Sequence, residues 1–136
     1  MEAFTFKSQF DPNITIIIIL SDHPRYELAK PMFEKYGYGF MVPGQNIIII
    51  DGEQFIDNFN SDVLKFIEAH EIAHFVLDHK GPRDDNDEMD ADLGAYLLLN
   101  KIGAIDSIKL LIKHFKKRHG IGFDKKLLER VKVSFQ

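Results

Sequence analysis

Hydrophobic and polar positions divide the chain into two halves of different character. Two short apolar runs, Ile14 to Leu20 and Ile47 to Ile50, are β-branched and bounded by turn residues. Asp11, Pro12 and Asn13 precede the first run, and Ser21, Asp22 and Pro24 follow it. Pro43, Gly44, Gln45 and Asn46 precede the second, and Asp51 and Gly52 follow it. Brief β-branched runs with such boundaries predict strands, and Thr5 to Ser8 offers an edge strand. Elsewhere the apolar spacing is helical. One helix is expected over Tyr26 to Tyr36, closed by Gly37 and Gly39. A longer one is expected over Asp62 to His79, with Ser61 or Asn60 as N-cap and Gly81-Pro82 as its stop. Further helices are expected over Asp87 to Lys101, with Asp85 as N-cap, over Ala104 to His119, and over Lys125 to Val131. A small early sheet followed by a helical half is an α+β pattern.

Length and composition narrow the reading. A chain of 136 residues has the size of one domain, residues 1-136, with room for a proper core. The hydrophobic share of 45% and the charged share of 28% are those of an ordinary globular protein. A net charge of -4 and a pI near 5.8 argue against a general nucleic-acid binder. Cysteine is absent, so no disulfide framework and no thiolate site exists, and a metal must be held by His, Asp or Glu. Met1 to Phe10 lacks the basic-then-apolar order of a signal peptide, and Ile16 to Leu20 is too short to span a bilayer. The expectation is a soluble, cytoplasmic protein with no membrane partner.

The candidate chemistry lies in His70-Glu71-Ile72-Ala73-His74. Four residues of helix turn roughly 400°, leaving His70 and His74 about 40° apart on one face. Two imidazoles so placed can converge on one ion. Glu71 sits at the edge of that face, within reach of a metal-bound water without being a ligand. Val63, Phe66, Ile67 and Leu77 share the sector of the histidines, which turns the pair toward the core. Buried imidazoles need partners. A metal with acceptors for the outer ring nitrogens supplies them, and carboxylates alone are the simpler alternative.

A catalytic zinc takes three protein ligands and a water. His79, five residues after His74, points about 140° away on a continuing helix, and no glycine intervenes to redirect it. Glu88 is the stronger third ligand. Glu88 and Asp92 share a face of the next helix, and Asp92 is placed to accept a hydrogen bond from a ligating histidine. Ala91, Gly94 and Ala95 permit close approach of the two helices. A capping box between Asp85 and Glu88 is the structural alternative.

Taken together, His70-Glu71-Ile72-Ala73-His74, then Glu88-Met89-Asp90-Ala91-Asp92, then Ala95 and Leu97-Leu98-Leu99 resemble the gluzincin pattern. More narrowly they resemble the ImmA/IrrE-type zinc metallopeptidases, with kinship to the minigluzincins. The resemblance covers residues 66 to 99. It lacks the proline that usually closes the second motif, since Leu99 leads to Asn100, and no helix-turn-helix accompanies it. It implies a zincin-like fold whose two motif helices carry the HExxH segment and the glutamate. It implies Zn2+ on His70, His74 and Glu88, Glu71 as general acid/base, and Asp92 as the orienting residue. The implied activity is hydrolysis of a peptide bond in a protein substrate, with a regulator as one such substrate. A catalytically silent zinc-containing module that captures a protein, and a metal-free scaffold, remain alternatives.

Several roles stay open at this level. Tyr96, His79 and His114 are the candidate donors for the oxyanion. The strand Ile47 to Ile50 takes the place of the edge on which such enzymes dock extended peptides, or is a plain core strand. Lys109, Lys113, Lys116, Lys117 and Arg118 form a basic stretch best read as a solvated helix face. His23 and His119 read as surface residues. Oligomeric state has no signal in the sequence.

Overall fold

The computed structural model describes residues 4–42, 44–58, 60–77, 84–120, 122, 123 and 125. Its elements run β1 (Phe4–Lys7), β2 (Thr15–Ile19), α1 (Tyr26–Tyr36), β3 (Gly39–Met41), β4 (Ile47–Asp51), a 3-10 segment (Gly52–Asn58), α2 (Ser61–Val76), α3 (Asp85–Lys101) and α4 (Ile105–His119). The chain is thus α+β, a small mixed sheet followed by a helical half. The expected helix from Lys125 to Val131 lies outside the described residues but for Lys125, as do His79 and the Gly81-Pro82 turn.

The four strands lie in the order β1-β2-β4-β3. β2 and β4 are parallel, with Ile16 beside Ile48 and Ile18 beside Ile50. β1 joins β2 antiparallel, and β3 joins β4 antiparallel. The isoleucine runs make sense in this setting, because the central strands are covered on both faces. On one face Ile16, Ile18, Ile48 and Ile50 join Phe66, Ile67, Ala69 and Ile72 of α2 in the main core. On the other, Ile19 and Phe40 pack with Tyr26, Ala29 and Phe33 of α1. The layers are therefore α1, the sheet, and the helices α2, α3 and α4.

Of the two places left open for Ile47 to Ile50, an edge or a plain core strand, the structure has the core strand. That strand is internal, flanked by β2 and β3, and the edge beside α2 belongs to β3. A run of Gly39, Phe40 and Met41 carries too little β-branched signal to be read as a strand from the sequence. Its pairing with β4, Gly39 opposite Ile50 and Met41 opposite Ile48, defines it.

α2 begins where Asn60 accepts a hydrogen bond from the Val63 amide, one of the two caps expected. Every residue from Phe66 to His74 is buried. A helix buried on all sides belongs at the centre of a fold, and this one has the sheet on one side and α3 and α4 on the others. Leu77, expected on the core side, is instead exposed just past the helix end. α3 starts at Asp85, two residues earlier than expected, and its N-cap is one residue earlier than expected. Asp84 is the N-cap and shares a capping box with Asp87, so Glu88 is not used for capping and its side chain turns inward. α2 and α3 approach closely, since a Cβ on Gly94 would lie 3.0 Å from the Ala73 Cβ. The Ser107 hydroxyl donates to the Asp62 carbonyl at 2.8 Å and ties the start of α4 to the start of α2.

Gly39 is the tightest point between sheet and helix. An added Cβ there would sit 2.6 Å from the Ile49 carbonyl oxygen and 3.3 Å from Glu71 Cδ. The backbone neighbour cannot yield without moving β3 off β4. Gly39→Ala is expected to destabilise the fold by about 1–3 kcal/mol, measured as a lowered midpoint in urea with an unchanged m value.

Candidate metal centre

The site forms where α2 and α3 cross. Successive turns of α2 present His70 and His74, 2% and 0% exposed, and successive turns of α3 present Glu88 and Asp92, 6% and 0% exposed. Four ionisable side chains thus meet out of water, which is costly unless they neutralise one another or a shared ion.

Their geometry is that of a donor set. His70 Nε2 lies 3.1 Å from His74 Nε2 and 3.0 Å from Glu88 Oε2, and His74 Nε2 lies 3.3 Å from Glu88 Oε1. Donors held about 2.0–2.1 Å from a tetrahedral ion would be about 3.3–3.4 Å apart. The three groups already stand near that spacing. Without an ion, a proton on His70 Nε2 faces an imidazole nitrogen and a carboxylate oxygen together and has one bond to give. A cation at the centre relieves that conflict. Among the described residues, His70, His74 and Glu88 form a buried group able to hold a metal ion.

Surrounding residues orient these side chains. Asp92 Oδ1 lies 2.8 Å from His70 Nδ1, the placement that leaves Nε2 turned toward the centre. Asp92 Oδ2 is 3.5 Å from His119 Nε2. The His119 side chain is only 1% exposed, so its reading as a surface residue is corrected. It lies in the last turn of α4, folded inward against the Phe115 ring. Arg118 also departs from the expected solvated face, with Nη1 3.0 Å from Glu88 Oε2. The neighbouring lysines, Lys113, Lys116 and Lys117, are exposed as expected.

Electrostatics follow from this packing. Burial pushes His70 down, but hydrogen bonds to Asp92 and Glu88, with the charges of Asp92 and Glu71, outweigh it and raise its pKa to about 10. Burial likewise pushes Glu88 up, and the hydrogen bonds and charges of His70 and His74 overcome it, holding the carboxyl well below its usual range. Burial lowers His114 and raises Tyr38, the latter partly offset by Arg118.

Glu71 is 1% exposed and lies where α2 passes β3, beside Gly39. Next to the centre opens a cavity of about 280 Å³, lined by Gly37, Tyr38, Gln54, Glu88, His114 and Arg118. Gln54 is fixed in its wall, donating from Nε2 to the Gly37 carbonyl at 2.9 Å and to Asp51 Oδ2 at 3.1 Å. Tyr38 sets its ring edge-on to His70, 6.2 Å between centroids. His114 keeps Nε2 buried with no hydrogen-bond partner among the described residues. Of the candidate oxyanion donors, His114 therefore borders the centre. Tyr96 packs on Phe123, 5.1 Å between centroids, and does not line the cavity. His79 lies outside the described residues.

Sequence reasoning missed Tyr38, Gln54 and Arg118. Tyr38 and Gln54 lie in short connecting segments with no periodicity to mark them. For Arg118 a signal exists. It follows His114 by one helical turn, beside the buried stripe of Ser107, Leu111 and Phe115, so it stands at the boundary of that face and not in its solvated middle.

Comparison of the chain with protein-family models, curated proteins and solved structures returns no match. The site stands on its own geometry. No helix among the described residues is long and apolar enough to cross a membrane.

The pKa shifts set a pH dependence. A histidine raised from 6.5 to about 10 adds stability that is whole below pH 6.5 and is lost as pH rises toward 10. Glu88, lowered from 4.5, adds stability that is whole above pH 4.5 and is lost below it. Metal-free protein is therefore expected to lose melting temperature from pH 6.5 to 10. Zinc affinity should rise over the same window, up to about tenfold per pH unit for one displaced proton. Melts in chelator and calorimetry in buffers of different ionisation enthalpy check both, and a flat profile in each would contradict the pairing. Asp92→Asn is expected to weaken zinc binding about 10–100-fold, read by competition with a chromogenic chelator.

Proposed function

We propose that the chain is a zinc-dependent metallopeptidase with a zincin-like arrangement, as its resemblance to the ImmA/IrrE-type enzymes implies. The observation that carries the reading is the near-tetrahedral spacing of His70 Nε2, His74 Nε2 and the Glu88 carboxylate, with a further carboxylate, Glu71, next in sequence to the first ligand. Two imidazoles and one carboxylate are a borderline-soft set that suits zinc, and all three come from the protein, leaving one position for water or substrate.

Zinc held there supplies a Lewis acid and a water acidified toward neutrality. The protein's own groups do the rest. Glu71 takes the proton of the attacking water on its carboxylate and passes it to the departing amine nitrogen. Asp92 holds His70 in the ligating tautomer. His114, bordering the cavity with a buried and uncommitted Nε2, is the candidate donor to the carbonyl oxygen as charge builds on it. β3 supports the docking of an extended peptide, since it is the sheet edge on the Glu71 side. The substrate on this reading is a protein or peptide.

The test is cleavage of a peptide library by zinc-loaded protein, followed by mass spectrometry, with Glu71→Gln as the paired variant. Loss of at least about 100-fold in kcat is expected in that variant, with zinc content unchanged. Cleavage that survives Glu71→Gln defeats the mechanism. Stoichiometric zinc without cleavage in either protein favours a silent zinc-containing binding module instead.

A further inference from the structure

The cavity beside the metal group has a polarity that the peptidase reading does not use. One wall is Glu88, whose charge is committed to His70 and His74. The positive charge comes from Arg118 of α4, and His114, one turn before it, lines the space beside it. Arg118 reaches Glu88 through Nη1 alone, at 3.0 Å, and its side chain is 35% exposed. A guanidinium carries five N–H donors in a planar fork suited to a carboxylate. One contact to a Glu88 oxygen uses only part of that fork, and Arg118 lines the space. When Glu88 serves a cation, its hold on Arg118 weakens, because its negative charge is then shared. Gln54 adds no competing negative group, since its amide is anchored on Gly37 and Asp51. At about 280 Å³ the space suits one residue of a peptide, not a large cofactor.

We propose that the cavity bounded by Arg118, His114 and Tyr38 is a specificity pocket for a carboxylate of the peptide substrate, with Arg118 as its anion-binding residue. The carboxylate belongs either to an acidic side chain or to the C-terminus of the chain being cleaved. This inference rests on the peptidase reading but is tested by binding, so that the two can fail separately. A role for Arg118 as a plain counter-ion of Glu88 would alter zinc binding and would favour no class of peptide.

The experiment is calorimetric titration of zinc-loaded Glu71→Gln protein, full chain, with two pairs of short alanine-rich peptides. In one pair an internal Glu is matched with Gln, both chains amidated. In the other a free C-terminus is matched with an amide, with no acidic side chain. The carboxylate member of one pair is expected to bind at least about 10-fold tighter than its twin. Which pair shows the difference identifies the source of the carboxylate. Adding Arg118→Ala should bring that ratio toward one, and Arg118→Lys, which keeps the charge without the fork, should keep part of it. Zinc content is measured on each variant. Should Arg118→Ala lose zinc, Arg118→Gln and Arg118→Lys carry the comparison.

Equal binding of the twins in both pairs overturns the proposal. So does a preference that persists without Arg118, or no binding of any peptide. Wild-type cleavage with equal twins overturns the pocket and leaves the peptidase. A carboxylate preference without any cleavage supports the pocket and removes the peptidase.

Discussion

Two imidazoles and two carboxylates buried between a pair of helices are the constraint around which the structure is organised. Charges in such a place are stable only when each has a partner at short range. Here the partners sit on opposite helices, so the separation of α2 and α3 is part of the electrostatics. Ala73 against Gly94 brings the helices close enough for His70 to meet Glu88 and Asp92 at hydrogen-bond distance. Larger side chains at that contact would part the charges and leave each without compensation. The small residues of α3 are therefore as necessary to the buried group as its own side chains.

The remaining elements enclose this pair. The sheet supplies a flat apolar surface for α2, built from alternate isoleucines of β2 and β4, while α1 protects the other face. β3 brings the sheet edge against Glu71, with glycine where a side chain would not fit. α4 adds a second layer of partners to the acidic residues, Arg118 to Glu88 and His119 to Asp92. Buried carboxylates are in this way countered both from within the donor set and from the helix outside it.

Sequence and structure agree best where a single helix decides the outcome. The interval from His70 to His74 places both imidazoles on one face whatever surrounds them, and the same holds for Glu88 and Asp92. Agreement is poorer where neighbours in space decide. Ile47 to Ile50 and an edge strand have the same local pattern, and only the presence of β3 made it internal. His119 shares a segment with exposed lysines, and the local sequence offers no reason to separate it from them, while Arg118 is marked only by its place at the boundary of the buried stripe of α4. Tyr96 carries the right chemistry for an oxyanion donor, but its helix turns it toward Phe123.

The sequence alone sets the α+β order of elements, the two helices that bear the motif residues, and the candidate donor group His70, His74 and Glu88, which could hold a metal ion. Those features depend on the fixed 3.6-residue turn of a helix and on residue chemistry, which are local. Tertiary structure alone decided that the three donors meet within bonding range of one point, that β3 is the edge beside Glu71, and that Arg118 and His114 make a cavity next to the centre. Each of these is a distance between segments remote in the chain, and no local periodicity encodes such a distance.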